Sequence, residues 1–233
     1  MNKFITAIKE LNLRKIEEIL KKEPQWFSWK EDNGKNALHY LGGVAISKFP
    51  EKAEASLDIL KLLLKGGMNS NSIHSIPDGC GFFPATPLWY AYTRGRNELL
   101  YKHLLAHGAN PDHCMYAIAW YDDTEAAGLF KKYGASINGG TATDTPFLGA
   151  FNWKRYNVAE WFLANGADVN FADDKGNTAL YYAVKRKLHA EQIQLLLKYG
   201  ADFDIRNKEG ISPKILAETN RQKKILSLFV NRK

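Results

Sequence analysis

The sequence predicts an all-α fold, a solenoid of stacked helix–turn–helix units with short hairpin loops. Three observations predict it. Five segments end alike: LLLKGGMNSN at 62–71, HLLAHGANPD at 103–112, LFKKYGASIN at 129–138, WFLANGADVN at 161–170 and LLLKYGADFD at 195–204. A second signal precedes each ending or follows the last: NALHYL at 36–41, TPLWYA at 86–91, TPFLGA at 145–150, TALYYA at 178–183 and SPKILA at 212–217. At the N-terminus, Phe4, Ile5, Ile8, Leu11, Ile16, Ile19 and Leu20 are broken by charge at helical spacing, and no apolar run is long enough for a membrane helix or a signal-peptide core.

Each element has a local reason. Thr or Ser before Pro caps a first helix, with Pro in its first turn. That helix carries small residues, Ala91, Ala150 and Ala183, where neighbouring units must approach closely. A second helix is richer in large apolar residues, such as Leu99, Leu100, Leu104 and Leu105, or Ile193, Leu195, Leu196 and Leu197. The glycine after it, at Gly67, Gly108, Gly134, Gly166 or Gly200, supplies a left-handed C-cap. Segments such as DDKG at 173–176 and NKEG at 207–210 then form a projecting turn. One unit cannot bury both helices alone, so units stack on a shared core.

A unit of about 33 residues with TPLHxA near its start and GADVN at its end resembles the ankyrin repeat. The resemblance covers nearly the whole chain. It divides residues 1–233 into a single domain: an N-terminal helical cap at 1–31, repeats at 32–71, 72–112, 113–138, 139–170 and 171–204, and a C-terminal capping repeat at 205–233. Departures are local. The first full repeat carries extra residues around GGVAISKFPEKAEA, the connection Ser72–Ala85 is long, and the repeat from His113 lacks the TPLH turn.

The resemblance also implies where a partner would bind. In ankyrin repeats, the concave face comes from the first helices and hairpin tips. The exposed concave positions fall fifth, eighth and ninth from the TPLH threonine. They select a stripe of Tyr90, Arg94, Trp120, Tyr121, Trp153, Tyr182 and Arg186. Trp, Tyr and Arg are the residue types that dominate binding hot spots. Phe82 and Phe83, adjacent in a glycine-rich extension, face opposite ways if that segment is extended, which would expose at least one at the rim. Trp161 and Phe162 are expected in the core, and Trp26 and Trp29 at the N-terminal cap.

Catalytic and metal chemistry is not indicated. His103 and His107 have i, i+4 spacing, but Leu104 stands where HExxH needs glutamate and no carboxylate completes a site. His39 occupies the TPLH histidine position, where the resemblance implies a structural hydrogen bond. Cys114 beside His113 lacks a recognisable orienting acid or oxyanion element. Cys80 and Cys114 are the two cysteines and form no CxxC pair. Asp122, Asp123, Asp173 and Asp174 are expected in turns or helix ends. No cofactor and no metal are expected, and the chain is not expected to be an enzyme or to take a small-molecule substrate.

Net charge is +7. Much of it lies beyond residue 205, where Arg206, Lys208, Lys214, Arg221, Lys223, Lys224, Arg232 and Lys233 meet only Glu209 and Glu218. Bases clustered at one end without interleaved aromatics favour a solvated cap over nucleic-acid binding, which stays the alternative; salt sensitivity separates the two. The leading expectation is a cytoplasmic module that binds one specific protein partner, with no membrane contact. The resemblance leaves its mode open between an inhibitor or immunity protein that blocks a toxin or other enzyme, and a translocated effector or scaffold that binds a host protein.

Overall fold

In the computed structural model, which describes residues 2–79, 81–141 and 143–230, consecutive helices pack in pairs. Cys80 and the terminal bases Arg232 and Lys233 lie outside the described residues. The chain divides into two compact units, residues 1–114 and 115–233.

The first unit holds α1 (Lys3–Lys9), α2 (Leu13–Lys22), α3 (Ala37–Gly42), α4 (Ala53–Lys65), α5 (Pro87–Tyr90) and α6 (Glu98–Ala106). α5 continues into a π-helical turn, Ala91–Gly95. First helices pack on first helices, α1 on α3 and α3 on α5, while second helices pack on second helices, α2 on α4 and α4 on α6. The segment expected as a cap is therefore itself a helix pair. Phe4, Ile8, Ile16, Leu38, Leu41, Ile59, Leu60 and Leu100 form this unit's core. At about 25 cal/mol per Å² of apolar surface, burial of each such side chain stabilises by roughly 1.5–3 kcal/mol. Trp26 stacks on Phe4 at 5.3 Å and meets Trp29 edge-on, as expected for the N-terminal cap.

Two features of this unit depart from helix pairs. The extra residues after α3 form 3₁₀ turns, Ile46–Lys48 and Pro50–Lys52. The connection Ser72–Ala85 is a β-hairpin, β1 (His74–Asp78) and β2 (Gly81–Ala85), paired from His74 with Ala85 to Asp78 with Gly81. Apart from this two-stranded sheet and a Lys30–Asn36 bridge, the regular structure of the described residues is helical.

The second unit holds α7 (Met115–Tyr121), α8 (Thr124–Lys132), α9 (Pro146–Asn152), α10 (Tyr156–Ala164), α11 (Ala179–Lys185), α12 (Ala190–Lys198), α13 (Pro213–Thr219) and α14 (Lys223–Val230). The same stacking recurs, with α7 on α9, α9 on α11 and α11 on α13, and with α8 on α10 and α12 on α14. Its core includes Ile118, Phe130, Phe147, Phe151, Val158, Phe162, Leu180, Ile193 and Leu196. Trp161 corrects its expectation. It is half-exposed and meets its buried neighbour Phe162 edge-on.

The two recurring signals have direct structural causes. Thr86, Thr145, Thr178 and Ser212 each accept the backbone N–H three residues on, at 3.2 Å, which starts the first helix. Gly67, Gly108, Gly134, Gly166 and Gly200 all have positive φ, between 81° and 96°, and end the second. Where an ending closes on asparagine, that side chain reaches forward to the next unit. Asn138 donates its amide to the Gly166 carbonyl at 3.0 Å and accepts the Asp168 N–H at 2.9 Å. Asn170 repeats both bonds with Gly200 and Asp202, and Asn71 with Gly108 and Asn110.

Candidate functional site

In the second unit, the predicted stripe forms two contacting groups. The C-terminal end of α7 presents Trp120, 50% exposed, and Tyr121, 41% exposed. Trp153 caps α9, and its ring meets Trp120 edge-on at 5.2 Å. Arg155 lies over the other indole, 5.5 Å from the Trp120 ring. Trp153 is half-buried because its six-membered ring folds back over Gly149, where a Cβ would lie only 3.2 Å from it. The bare backbone at 149 is thus the seat of the indole.

One repeat on, Arg186 is exposed and holds two anchors. Its guanidinium donates to Asn152 Oδ1 at 3.0 Å and lies over the Tyr182 ring at 5.0 Å. Tyr182 is half-buried, and its hydroxyl donates to the Asp173 carboxylate. That same carboxylate accepts the backbone N–H groups of Lys175 and Asn177, which shapes the projecting turn. These hydrogen bonds hold the Asp173 carboxyl below its usual range although its partial burial acts the other way, and burial together with Asp173 raises the Tyr182 phenol. Asp122 and Asp123 cap helices, as turn acids do: Asp123 caps α8, and Asp122 accepts the Val158 N–H at the start of α10.

The first unit treats its predicted residues differently. Arg94 is exposed over the Trp89 ring, 5.8 Å from its centroid. Tyr90 is not a surface residue, which corrects the expectation that it lies on the exposed stripe. Only 8% of it is exposed, because its hydroxyl bonds His74 Nδ1 at 2.7 Å and its ring stacks on that imidazole at 5.8 Å. In the hairpin, Phe82 is 70% exposed. Phe83, its opposite-facing neighbour, packs on Trp89 at 5.2 Å and meets His113 edge-on. Sequence reasoning missed Trp89 and Arg155. Trp89 stands where the TPLH motif has histidine, and that substitution was the available signal.

His39 acts as the motif implies. It is fully buried, accepts the Asn36 N–H on Nδ1 at 3.1 Å, and directs Nε2 at the Ser72 and Ala85 carbonyls at 3.1 and 3.2 Å. Burial lowers its pKa to about 4, so the ring is neutral at physiological pH. His103 and His107 stack at 3.9 Å, and His107 Nδ1 lies 2.8 Å from the His103 carbonyl oxygen. No group of three or more potential metal ligands occurs among the described residues. Cys114 is fully buried, and burial pushes its thiol far up, which disfavours the nucleophilic thiolate.

Residues 147–233 match the family model described as ankyrin repeats, in three copies. They are ankyrin repeats. Across nearly the whole chain the ankyrin fold recurs in solved structures. The ankyrin repeat domain of Bcl-3 superposes with a TM-score of 0.74 at 19% identity, covering 97% of this chain and 98% of that one. The human ASB11 ankyrin repeat domain gives 0.67 at 21% identity, covering 98% and 97%. Among curated relatives, ankyrin repeat protein L92 of Acanthamoeba polyphaga mimivirus is 47% identical over 51 residues, which is 22% of this chain and 12% of that protein. An ankyrin repeat protein of Rickettsia bellii is 32% identical over 112 residues, 47% of this chain and 45% of that protein. The first relatives matched are covered over less than a fifth of their own length. Ankyrin repeats serve generally as non-catalytic modules of protein–protein interaction. No helix among the described residues is long and apolar enough to cross a membrane.

Proposed function

We propose that this chain binds one specific protein through the second unit's row of Trp120, Tyr121, Trp153, Tyr182 and Arg186, and acts on it by occlusion, as an inhibitor acts on the enzyme it covers. The observation that carries the reading is the exposed Trp120 locked against Trp153 and Arg155. Large aromatic surfaces held in one rotamer before binding lose little entropy when a partner covers them. In the first unit, Phe82 is an exposed contact group in its own right.

The test is capture of the natural partner by the wild-type chain and by Trp120→Ala and Trp153→Ala variants, each checked for fold by circular dichroism. The reading expects a protein retained by the wild type and lost or weakened at least fivefold by each variant. A partner held equally by folded variants refutes the row as the contact surface. For the inhibitory mode, the captured partner's own activity must fall when the chain is added.

A further inference from the structure

We propose that a cleft in the first unit is a second contact site, which takes an acidic peptide segment of the protein partner; this rests on the reading that the chain binds a protein. The cavity, of about 540 Å³, lies among α1, α3, the π-helical turn and the insertion that follows α3. That is a volume typical of ligand pockets. Four cations from four separate stretches of chain line it: Lys9, Lys35, Lys48 and Arg94.

Their arrangement gathers positive charge around one ring. The Lys9 and Lys35 ammonium groups lie 4.9 and 4.4 Å from the centroid of the same ring, Tyr40. Two like charges against one ring are held within about a Debye length, ~10 Å, where they repel. Lys35 also reaches to 5.5 Å from the Tyr90 ring. The acid beside the cleft, Glu31, accepts the Tyr40 hydroxyl. Among the described residues, Lys35, Lys48 and Arg94 form no salt bridge.

The lining also says which anion fits. Val44, Ala45 and Phe49, supplied by the insertion, add apolar lining to the cleft beside its cations. A carboxylate side chain flanked by an apolar one satisfies both. A nucleic-acid backbone presents phosphates in series and calls for cations in series, whereas these converge on one cavity. The insertion that lengthens this repeat therefore lines a site.

The experiment uses the full chain and a fluorescein-labelled peptide of alternating glutamate and leucine, read by fluorescence anisotropy. The expected result is saturable binding that weakens as salt rises, is absent for the glutamine–leucine peptide, and weakens at least tenfold in Lys35→Gln/Arg94→Gln. A charge-matched pair in the same unit, Lys21→Gln/Lys65→Gln, should bind within twofold of wild type. Lys9→Gln/Lys48→Gln provides the same reading should the first pair fail to fold. The proposal is overturned if the acidic peptide does not bind, if the control pair weakens it equally, or if a duplex oligonucleotide competes as well as unlabelled peptide. Such a failure leaves the Trp120–Trp153 row intact, since that row is judged by capture of the natural partner.

Discussion

The indole of Trp153 meets that of Trp120 edge-on at 5.2 Å, although the two residues come from successive repeats. The pair is thus a joint as well as a surface. In a double-mutant cycle on partner affinity, each single change to alanine is expected to cost at least ~1 kcal/mol, and the coupling between them to be about 0.5–1.5 kcal/mol, as for an aromatic pair. Isothermal titration on the four proteins measures it. Additive losses would show that the two rings contact the partner independently.

Gly149→Ala tests how the surface is held. A methyl at 149 would stand 3.2 Å from the Trp153 ring, closer than the ring can accept without moving. Alanine in place of glycine within α9 favours the helix by roughly 0.5–1 kcal/mol, so overall stability should change little while partner affinity drops severalfold. Tryptophan fluorescence and a urea melt separate these outcomes. Unchanged fluorescence with unchanged affinity would show that the indole does not need its seat.

His39 predicts a pH dependence. Its folded pKa is lowered to about 4 from an ordinary value of 6.5, so between these values the unfolded chain binds a proton that the folded chain refuses. Its contribution is fully present above pH 6.5 and disappears as pH falls toward 4, a loss of up to about 3 kcal/mol. His74 is shifted the same way, chiefly by burial, and adds with the same sign. His39→Gln should be less stable at pH 7, where buried carbonyls lose a donor, yet lose less on acidification. Urea melts of both proteins at pH 7, 5.5 and 4.5 give the difference. Parallel curves would mean that His39 does not titrate in this window.

Leu11, Arg96, Asp122, Lys154, Lys187 and Arg221 all adopt positive φ, between 47° and 61°, at the turn joining a first helix to a second. An L-residue pays roughly 1–2 kcal/mol for this conformation. Lys154→Gly and Lys187→Gly, at exposed positions, are therefore expected to raise stability by up to about 1 kcal/mol each, read as a shift in the urea midpoint. A lowered midpoint would mean that the lysine stems contribute more through packing than the backbone loses.

These turns show where sequence reading stopped. The left-handed C-caps were legible because glycine occupies each one, and the starts of α5, α9, α11 and α13 because Thr86, Thr145, Thr178 and Ser212 precede them. The left-handed turns between helices were not legible, since leucine, arginine, aspartate and lysine carry no signal for that conformation. Among candidate residues, positional counting placed Trp120, Tyr121, Trp153 and Arg186 at accessible or half-accessible sites. It failed at Tyr90, because burial there depends on His74, which arrives from a hairpin outside the repeat pattern. It also had no access to the cationic cleft, whose four cations are scattered from Lys9 to Arg94 and meet only in the folded unit.

The seat at Gly149 has a kinetic consequence. A ring already parked against bare backbone and a neighbouring indole has no rotamer search to complete during encounter. Association should then proceed at the rate set by diffusion and orientation, and substitutions that trim the aromatic row should shorten the lifetime of the complex while hardly slowing its formation.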